Sequence, residues 1–457
     1  MRKLLIIGGS DAGISAALRA KELCPATEVT VVVADRYPNF SICGLPFYLS
    51  GEVADWQALA HRTARDIENE GIGLLLQHTA VSIDATQKEV SVRRPQGDLR
   101  KLGYDRLILG TGAESIRPRV AGMDLRGVFL LRWMDDAFIL ERFLSDRQPK
   151  SATIVGAGYI GMEMADALTR RGMAVTVVEF ADSVLTTLDK EMGQRVETEL
   201  GRHGVRVNTR VGVTGIVQSG DQLRVLGSGG FSTNSDMVLV AVGAHPRNEL
   251  ALCAGIQTGL KGAIKVDRRM RTNVADIFAA GDCVETRHRL LAQSTYIPLG
   301  TIAHKQGRIA GENAVGGDRE FGGSLGTQAV KIFDLVAGRT GLRDCEALAA
   351  GLKPLTVETE MWDHKAYYPG AHKLWVRITA ELGSHRLLGA QVLGHRHSEV
   401  SKRVDVFAAA IHNAMSIEDL NDLDLSYTPP LSSPWDPVQM SAQEWSKSAR
   451  LLTPNPL

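Results

Sequence analysis

The sequence predicts an α/β chain with two nucleotide-binding modules on parallel sheets, followed by a smaller α+β segment at the C-terminal end. Three observations carry this. An apolar run at residues 4–7 leads into Gly8-Gly9-Ser10-Asp11-Ala12-Gly13 and an alanine-rich stretch reaching about Leu23. The same order returns with an apolar run at 152–155, then Gly156-Ala157-Gly158-Tyr159-Ile160-Gly161 and a helical stretch to about Arg171. From about Phe321 the character changes: residues 373–379 and 387–393 read as antiparallel strands, and 399–415 as an amphipathic helix.

In each module the next apolar run, 29–33 or 174–178, reads as a second, parallel strand, because it is apolar at successive positions and so buried on both faces. Two Rossmann-like starts in one chain imply two dinucleotide sites, hence two cofactors that exchange electrons. Between them, residues 104–112 read as a buried strand ending in Thr111-Gly112-Ala113. Residues 237–242 end in Gly243, and 277–282 end in Gly281-Asp282, which is expected to lead into a helix. The tail at 427–435 is proline-rich and reads as extended.

A length of 457 residues allows two or three domains. Lys+Arg and Asp+Glu stand at 52 each, so no net charge steers the chain to nucleic acid or anionic lipid, and neither partner is expected. No apolar run approaches a membrane span, and the run at 4–7 stops at Gly8-Gly9, which suits a first strand better than a signal peptide. The five cysteines (24, 43, 253, 283 and 345) are odd in number and form no Cys-x-x-Cys pair. That argues against a disulfide framework or a zinc site and suits a reducing cytoplasm. His395-Arg396-His397 lacks acidic or thiol partners, so no metal site is expected.

Gly156, Gly158 and Gly161 complete the dinucleotide fingerprint, permitting the tight turn, the pyrophosphate approach and the helix–strand packing. Glu179 ends the next strand, where an acid accepts hydrogen bonds from adenosine ribose hydroxyls. Phe180 and Ala181 follow, with no arginine for a 2′-phosphate, which favours NADH over NADPH. The first fingerprint, Gly8, Gly9 and Gly13, is imperfect. Ser10 replaces its middle glycine and Val33 its acid, leaving Asp35 as the candidate ribose ligand or an ordinary loop aspartate. Asp282 after Gly281 suits a carboxylate bonding a flavin's ribityl chain, with a plain helix cap as the competing reading.

Cys43 is the one cysteine set in a distinctive context, and a dithiol enzyme would place its second cysteine where Tyr48 stands. A single thiol cannot close an internal disulfide. It cycles through a sulfenic acid, a persulfide or a mixed disulfide with an outside thiol. Gly44-Leu45-Pro46 reads as a first helical turn, which favours thiolate; an inert buried thiol is the competing reading. Cys24, Cys253 and Cys345 read as structural and Cys283 as a packing residue.

Both fingerprints, Thr111-Gly112-Ala113, Gly158-Tyr159-Ile160-Gly161-x-Glu163 and the 277–282 strand resemble, in order, the pyridine nucleotide–disulfide oxidoreductase family over nearly the whole chain. The resemblance implies an FAD-binding domain at 1–118 with 246–322, an NAD(H)-binding domain at 119–245, and a homodimerisation domain at 323–457. It also implies that Asp282 binds FAD, that Tyr159 gates the nicotinamide pocket, and that Glu163 and Gly243 belong to the cofactor sites.

Residues 40–51 are similar to the single-cysteine branch: coenzyme A-disulfide reductases, persulfide or polysulfide reductases, NADH oxidases and NADH peroxidases. Oxidases and peroxidases place a histidine where this chain has Asp11, a poor substitute for imidazole. Tyr427-Thr428-Pro429-Pro430 resembles the coenzyme A-disulfide reductase tail, whose tyrosine reaches the sulfur of the partner subunit, with Tyr367 or Tyr368 as the second phenol. Packing at an interface is the competing reading for these tyrosines. Arg19, Lys21 and Arg62 are candidates for coenzyme A phosphates, and a solvated charged face explains them nearly as well. Ile42 and Asn39 depart from the asparagine and serine common in that branch.

The leading expectation is an FAD enzyme that reduces a small disulfide or persulfide of the coenzyme A type with NADH. The alternatives are an NADH oxidase or peroxidase working through a sulfenate, and a flavoprotein reductase of a protein partner.

Overall fold

The computed structural model describes residues 2–452. The chain divides into two compact units: Met1–Pro118, Phe129–Gln148 and Val242–Ser324 form the first, and Arg119–Val128, Pro149–Ala241 and Leu325–Leu457 the second. The second therefore groups residues 119–128 and 149–241 of the segment expected to bind NAD(H) with the C-terminal sheet, while 129–148 and 242–245 fall in the first.

The first unit is built on a five-stranded sheet in the order Ile277–Ala279, Arg106–Leu109, Lys3–Ile7, Glu28–Val33, Ile72–Leu76, parallel throughout. Alternate residues of these strands feed two cores, as a strand's two-residue period requires. Leu4, Ile6, Val31 and Ile108 pack with the helices Asp11–Leu23 and Gly300–Ala314. Leu5, Ile7, Leu107 and Leu109 pack with Val90 and Val92 of the strand Glu89–Arg93. The two helices touch backbone to backbone. A Cβ on Gly307 or Gly311 would lie 2.2 Å from the carbonyl oxygen of Ala12 or Ala16.

In the second unit Arg206–Asn208, Ala174–Val178, Ser151–Val155 and Met237–Val240 form a parallel sheet, with the helix Tyr159–Arg170 following the glycine turn. Its other sheet is antiparallel, in the order Gln328–Ile332, Leu335–Gly341, Leu387–His395, Lys373–Glu381, Pro354–Trp362. The helix Val400–His412 lays Val404, Phe407 and Ile411 into its core.

Both strand–turn–helix starts and the antiparallel pair form where the pattern places them. The segment after Asp282 does not. The residues that follow form a two-stranded ribbon, Thr286–Arg287 with Ser294–Thr295, and the helix begins only at Gly300. The sequence pattern also missed two three-stranded meanders, Thr79–Gly103 and Val213–Ser235 in outer limits, and the closing helix Pro437–Leu452. That helix buries Trp445, whose indole N–H donates to the Leu355 carbonyl at 2.8 Å.

The glycine turn of the first unit sets a steric test. A Cβ on Gly13 would stand 1.9 Å from the Gly8 carbonyl oxygen, which is backbone and cannot rotate away. Gly13→Ala is expected to destabilise the protein by at least about 1–3 kcal/mol, the usual range for overpacking, read as a lower urea midpoint at unchanged slope.

Candidate active site

In the first unit, Gly8 (φ +116°) would place a Cβ 2.0 Å from the Gly110 oxygen, and Gly9 leaves room for Val33, whose methyl lies 2.6 Å from the missing Cβ. Val33 therefore packs under the turn and reaches no ribose. The Asp35 carboxylate accepts the Tyr37 N–H at 2.8 Å, an Asx turn, and burial pushes its pKa up. Ser10 is the N-cap of the helix Asp11–Leu23 in extended conformation, with no side-chain cap bond. Thr111 donates its hydroxyl to the Arg247 carbonyl at 2.6 Å, while Gly112 (φ +69°) faces open space. Gly243 (φ +109°) accepts the Ile116 N–H through its carbonyl.

Asn39 ties the cysteine loop to this turn. Its N–H donates to the Gly9 carbonyl at 2.7 Å and its own carbonyl accepts the His61 N–H at 3.0 Å. Asn39 sits at φ +58°, a left-handed conformation that asparagine tolerates better than most residues. Its departure from serine thus has a backbone reason. Cys43 is exposed, in a short 3₁₀ turn Ile42–Gly44 that runs into the helix Leu45–Ser50. A Cβ at Gly44 would meet Leu59 at 2.5 Å, so this turn lies flat on the segment that precedes His61. Tyr37, Phe40, Trp56 and Phe138 brace the loop through ring contacts of 5.2–5.7 Å.

Gly281 (φ +88°) brings its segment within 2.8 Å of the Ala12 Cβ, counted from its absent side chain. Asp282 then pairs with Arg132 at 2.6 Å, a residue that sequence patterning gave no reason to single out. Burial raises the pKa of Asp11, and Asp282 adds to this while His61 and His304 pull it back. His304 meets Ser15 at 2.8 Å, and burial, Arg308, Lys305 and Arg62 lower its pKa. Of the expected phosphate cations, Arg19 is held by Glu312 (2.6 Å) and Glu22 (2.7 Å). Lys21 bonds the Pro25 and Thr27 carbonyls. Arg62 is exposed. Cys283 is fully buried, its thiol directed at the Leu109 and Ala280 carbonyls.

In the second unit a Cβ on Gly161 would lie 2.0 Å from the Gly156 oxygen, whereas Gly158 has nothing within 4 Å. Glu179 accepts N–H bonds from Ala157 (2.6 Å) and Ala181 (2.8 Å), which hold its carboxylate at the mouth of the turn. Tyr159 is half-buried, its phenol accepting a hydrogen bond from the Thr187 hydroxyl at 3.2 Å. Burial pushes the Tyr159 pKa up, opposed by Thr187 and Arg339. Tyr367 and Tyr427 meet: the Tyr427 pKa is raised by desolvation and then by Tyr367. Lys365 joins the same two segments, with its N–H on the Pro429 carbonyl and its ammonium over the rings of Trp435 (4.3 Å) and Tyr427 (5.9 Å). Tyr368 contacts His364 edge-on at 5.9 Å.

Comparison with known proteins decides the family. The profile described as pyridine nucleotide-disulphide oxidoreductase matches residues 2–307, and the profile of that family's dimerisation domain matches 327–437. The chain belongs to the pyridine nucleotide-disulphide oxidoreductase family. A Pyrococcus horikoshii protein named NAD(P)H coenzyme A polysulfide/persulfide reductase is 32% identical over 97% of this chain and 98% of its own. A Methanocaldococcus jannaschii protein named NADH oxidase is 31% identical over 97% and 98%. The solved NAD-dependent persulfide reductase from A. fulgidus superposes with a TM-score of 0.94 at 37% identity, covering 98% of this chain and 84% of that one.

Family membership makes the chain an NAD(P)H-dependent FAD oxidoreductase, and the residues present fit both groups. Gly158 is clear on the side a pyrophosphate must approach, with Glu179 already held for a ribose. On the flavin side, Gly112 is similarly clear, and the buried Asn39 Oδ1 has no donor among the described residues.

Glu163 in the second unit carries a further signature. Burial raises its carboxyl from 4.5 to about 7, opposed by Lys331 and aided by Asp166. Between these values the folded protein holds a proton that the unfolded chain has released, so this contribution to stability fades as pH rises through the window. Glu163→Gln is expected to flatten the pH dependence between 4.5 and 7 and to stabilise the protein at pH 8 more than at pH 5, measured by thermal unfolding.

Proposed function

We propose that the protein is a homodimer that uses NADH to reduce a low-molecular-weight disulfide or persulfide of the coenzyme A type at Cys43. The observation that carries this reading is an exposed cysteine on a loop pinned to the first glycine turn, with half-buried Tyr48 where the sequence of a dithiol enzyme would place its second cysteine. The names of the Pyrococcus and A. fulgidus relatives support it. In this reading residues 1–118 with 246–322 hold FAD, 119–245 hold NADH, and 323–457 pair two subunits. The odd number and the spacing of the cysteines fit a cytoplasmic setting, and no described helix is long and apolar enough to cross a membrane.

Bound FAD supplies the two-electron relay between NADH and sulfur. The chain's own part begins with the Cys43 thiolate attacking one sulfur of the substrate disulfide. A mixed disulfide forms, the first thiolate leaves, and it takes a proton. The incoming electron pair then breaks the mixed disulfide, restoring the Cys43 thiolate and releasing the second thiolate, which takes up a proton from solvent to leave as a thiol. Tyr427, paired with Tyr367, donates the hydrogen bond that steadies the departing sulfur, the tail of one subunit completing the site of the other. Coenzyme A phosphates fall to Arg62 with His61 and His304, because Arg19, Lys21 and Arg308 already have protein partners.

Oxidase chemistry is the second reading, favoured by the M. jannaschii relative's name. Asp11 weighs against it. Burial raises its pKa, yet a carboxyl offers a sulfenate no imidazole.

Cys43→Ser is expected to lower turnover with coenzyme A disulfide or persulfide at least about a hundred-fold, while NADH still reduces the flavin in an anaerobic titration. Native turnover in this variant would end the proposal. Intact mass before and after reductant is expected to show coenzyme A or sulfur on Cys43, and one added oxygen would instead favour the oxidase. Arg62→Ala is expected to raise KM for coenzyme A disulfide about ten-fold, the size of a hydrogen bond to a charged group, without changing KM for a disulfide that lacks phosphate.

A further inference from the structure

The loop after Glu179 does more than close the nucleotide turn. Within the second unit, residues 185–189 form a strap with one end on the glycine turn and the other on the antiparallel sheet. Leu185 donates its N–H to the Ala157 carbonyl at 2.9 Å and sits at φ +47°, a left-handed conformation that a leucine adopts only when its surroundings impose it. Asp189 donates its N–H to Gln391 at 2.7 Å, and its carboxylate accepts Arg377 and Gln391, both at 2.7 Å.

Between these anchors, two arginines from the strand Leu335–Gly341 and its continuation seize the carbonyls. Buried Arg339 donates to the Thr187 carbonyl at 2.7 Å, and Arg343 donates to those of Thr186 (2.8 Å) and Leu188 (3.4 Å). Glu346 takes both guanidiniums, at 3.0 and 3.2 Å, so neither arginine is free to turn. With its backbone fixed, Thr187 donates its hydroxyl to the Tyr159 phenol at 3.2 Å.

We propose that Thr187 is a positioning residue, locked by Arg339, that holds the Tyr159 gate in its resting rotamer and so sets the cost of nicotinamide entry. The proposal rests on Tyr159 being that gate. It also means that the sheet matched by the family's dimerisation profile, which contributes Arg339, Arg343, Arg377 and Gln391, adjusts NADH access through the strap.

Steady-state kinetics of the holoenzyme test this, with ferricyanide as acceptor so that Cys43 chemistry plays no part. Thr187→Val is expected to lower KM for NADH about five-fold, one ordinary hydrogen bond, with kcat within about two-fold of wild type. Thr187→Ser, which keeps the hydroxyl, is expected to restore the wild-type KM. Tyr159→Phe is expected to lower KM for NADH by the same factor as Thr187→Val, and KM in the double variant to fall no further, since both remove one bond. Arg339→Lys, which loses the planar fork, is expected to shift KM in the same direction. If Thr187→Val keeps the wild-type KM while Tyr159→Phe lowers it, the strap assignment is overturned. If both keep the wild-type KM, the gate itself is.

Discussion

At Gly13 an added Cβ would reach 1.9 Å from the Gly8 carbonyl oxygen, so the helix Asp11–Leu23 can begin where it does only because no side chain stands there. Much of the first unit depends on that contact. The closely set helix puts Ala12 and Ala16 against Gly307 and Gly311, which fixes the helix that carries His304. It also brings Ala12 under Gly281, which sets Asp282 in range of Asp11. The carbonyl of Gly9, within the same turn, receives the Asn39 amide that anchors the Cys43 loop. A steric fact about two glycines thereby reaches a sulfur more than thirty residues along the chain.

The parts of the molecule that could be read from sequence are those governed by local rules. A glycine turn after an apolar run has few conformations open to it, and both modules form as patterned. The lone thiol and the missing partner at Tyr48 were equally visible, because they are matters of spacing. The partners chosen by folding were hidden. Arg132 meets Asp282 across 150 residues, and Arg19 meets Glu312 across 293, so no window of sequence contains either pair. The short meanders escaped because their strands are half-exposed and carry many polar residues, as Leu99–Gly103 and Ser232–Ser235 show. The closing helix Pro437–Leu452 was masked by the prolines that precede it.

Charge is arranged differently in the two units. In the first, Asp11, Asp282, His61, His304 and Arg62 share one electrostatic neighbourhood that runs from half-buried Asp11 to exposed Arg62. In the second, Asp166 is almost fully buried between Lys331 and Arg170, and its proximity helps keep the Glu163 carboxyl protonated near neutrality. Charge that reaches the surface suits a ligand that arrives and leaves. Buried charge suits a fixed framework beside the nucleotide turn.

The solitude of Cys43 has a thermodynamic side. An enzyme with an internal disulfide has a midpoint potential of its own, because both sulfurs stay attached when the bond opens. A mixed disulfide releases its second sulfur into solution, so the concentration of that free thiol enters the equilibrium. For a two-electron couple, each ten-fold rise in the free thiol lowers the potential by about 30 mV. In the proposed cycle the Cys43 couple has no midpoint apart from its medium, and its resting state depends on the thiol content of the solution around it.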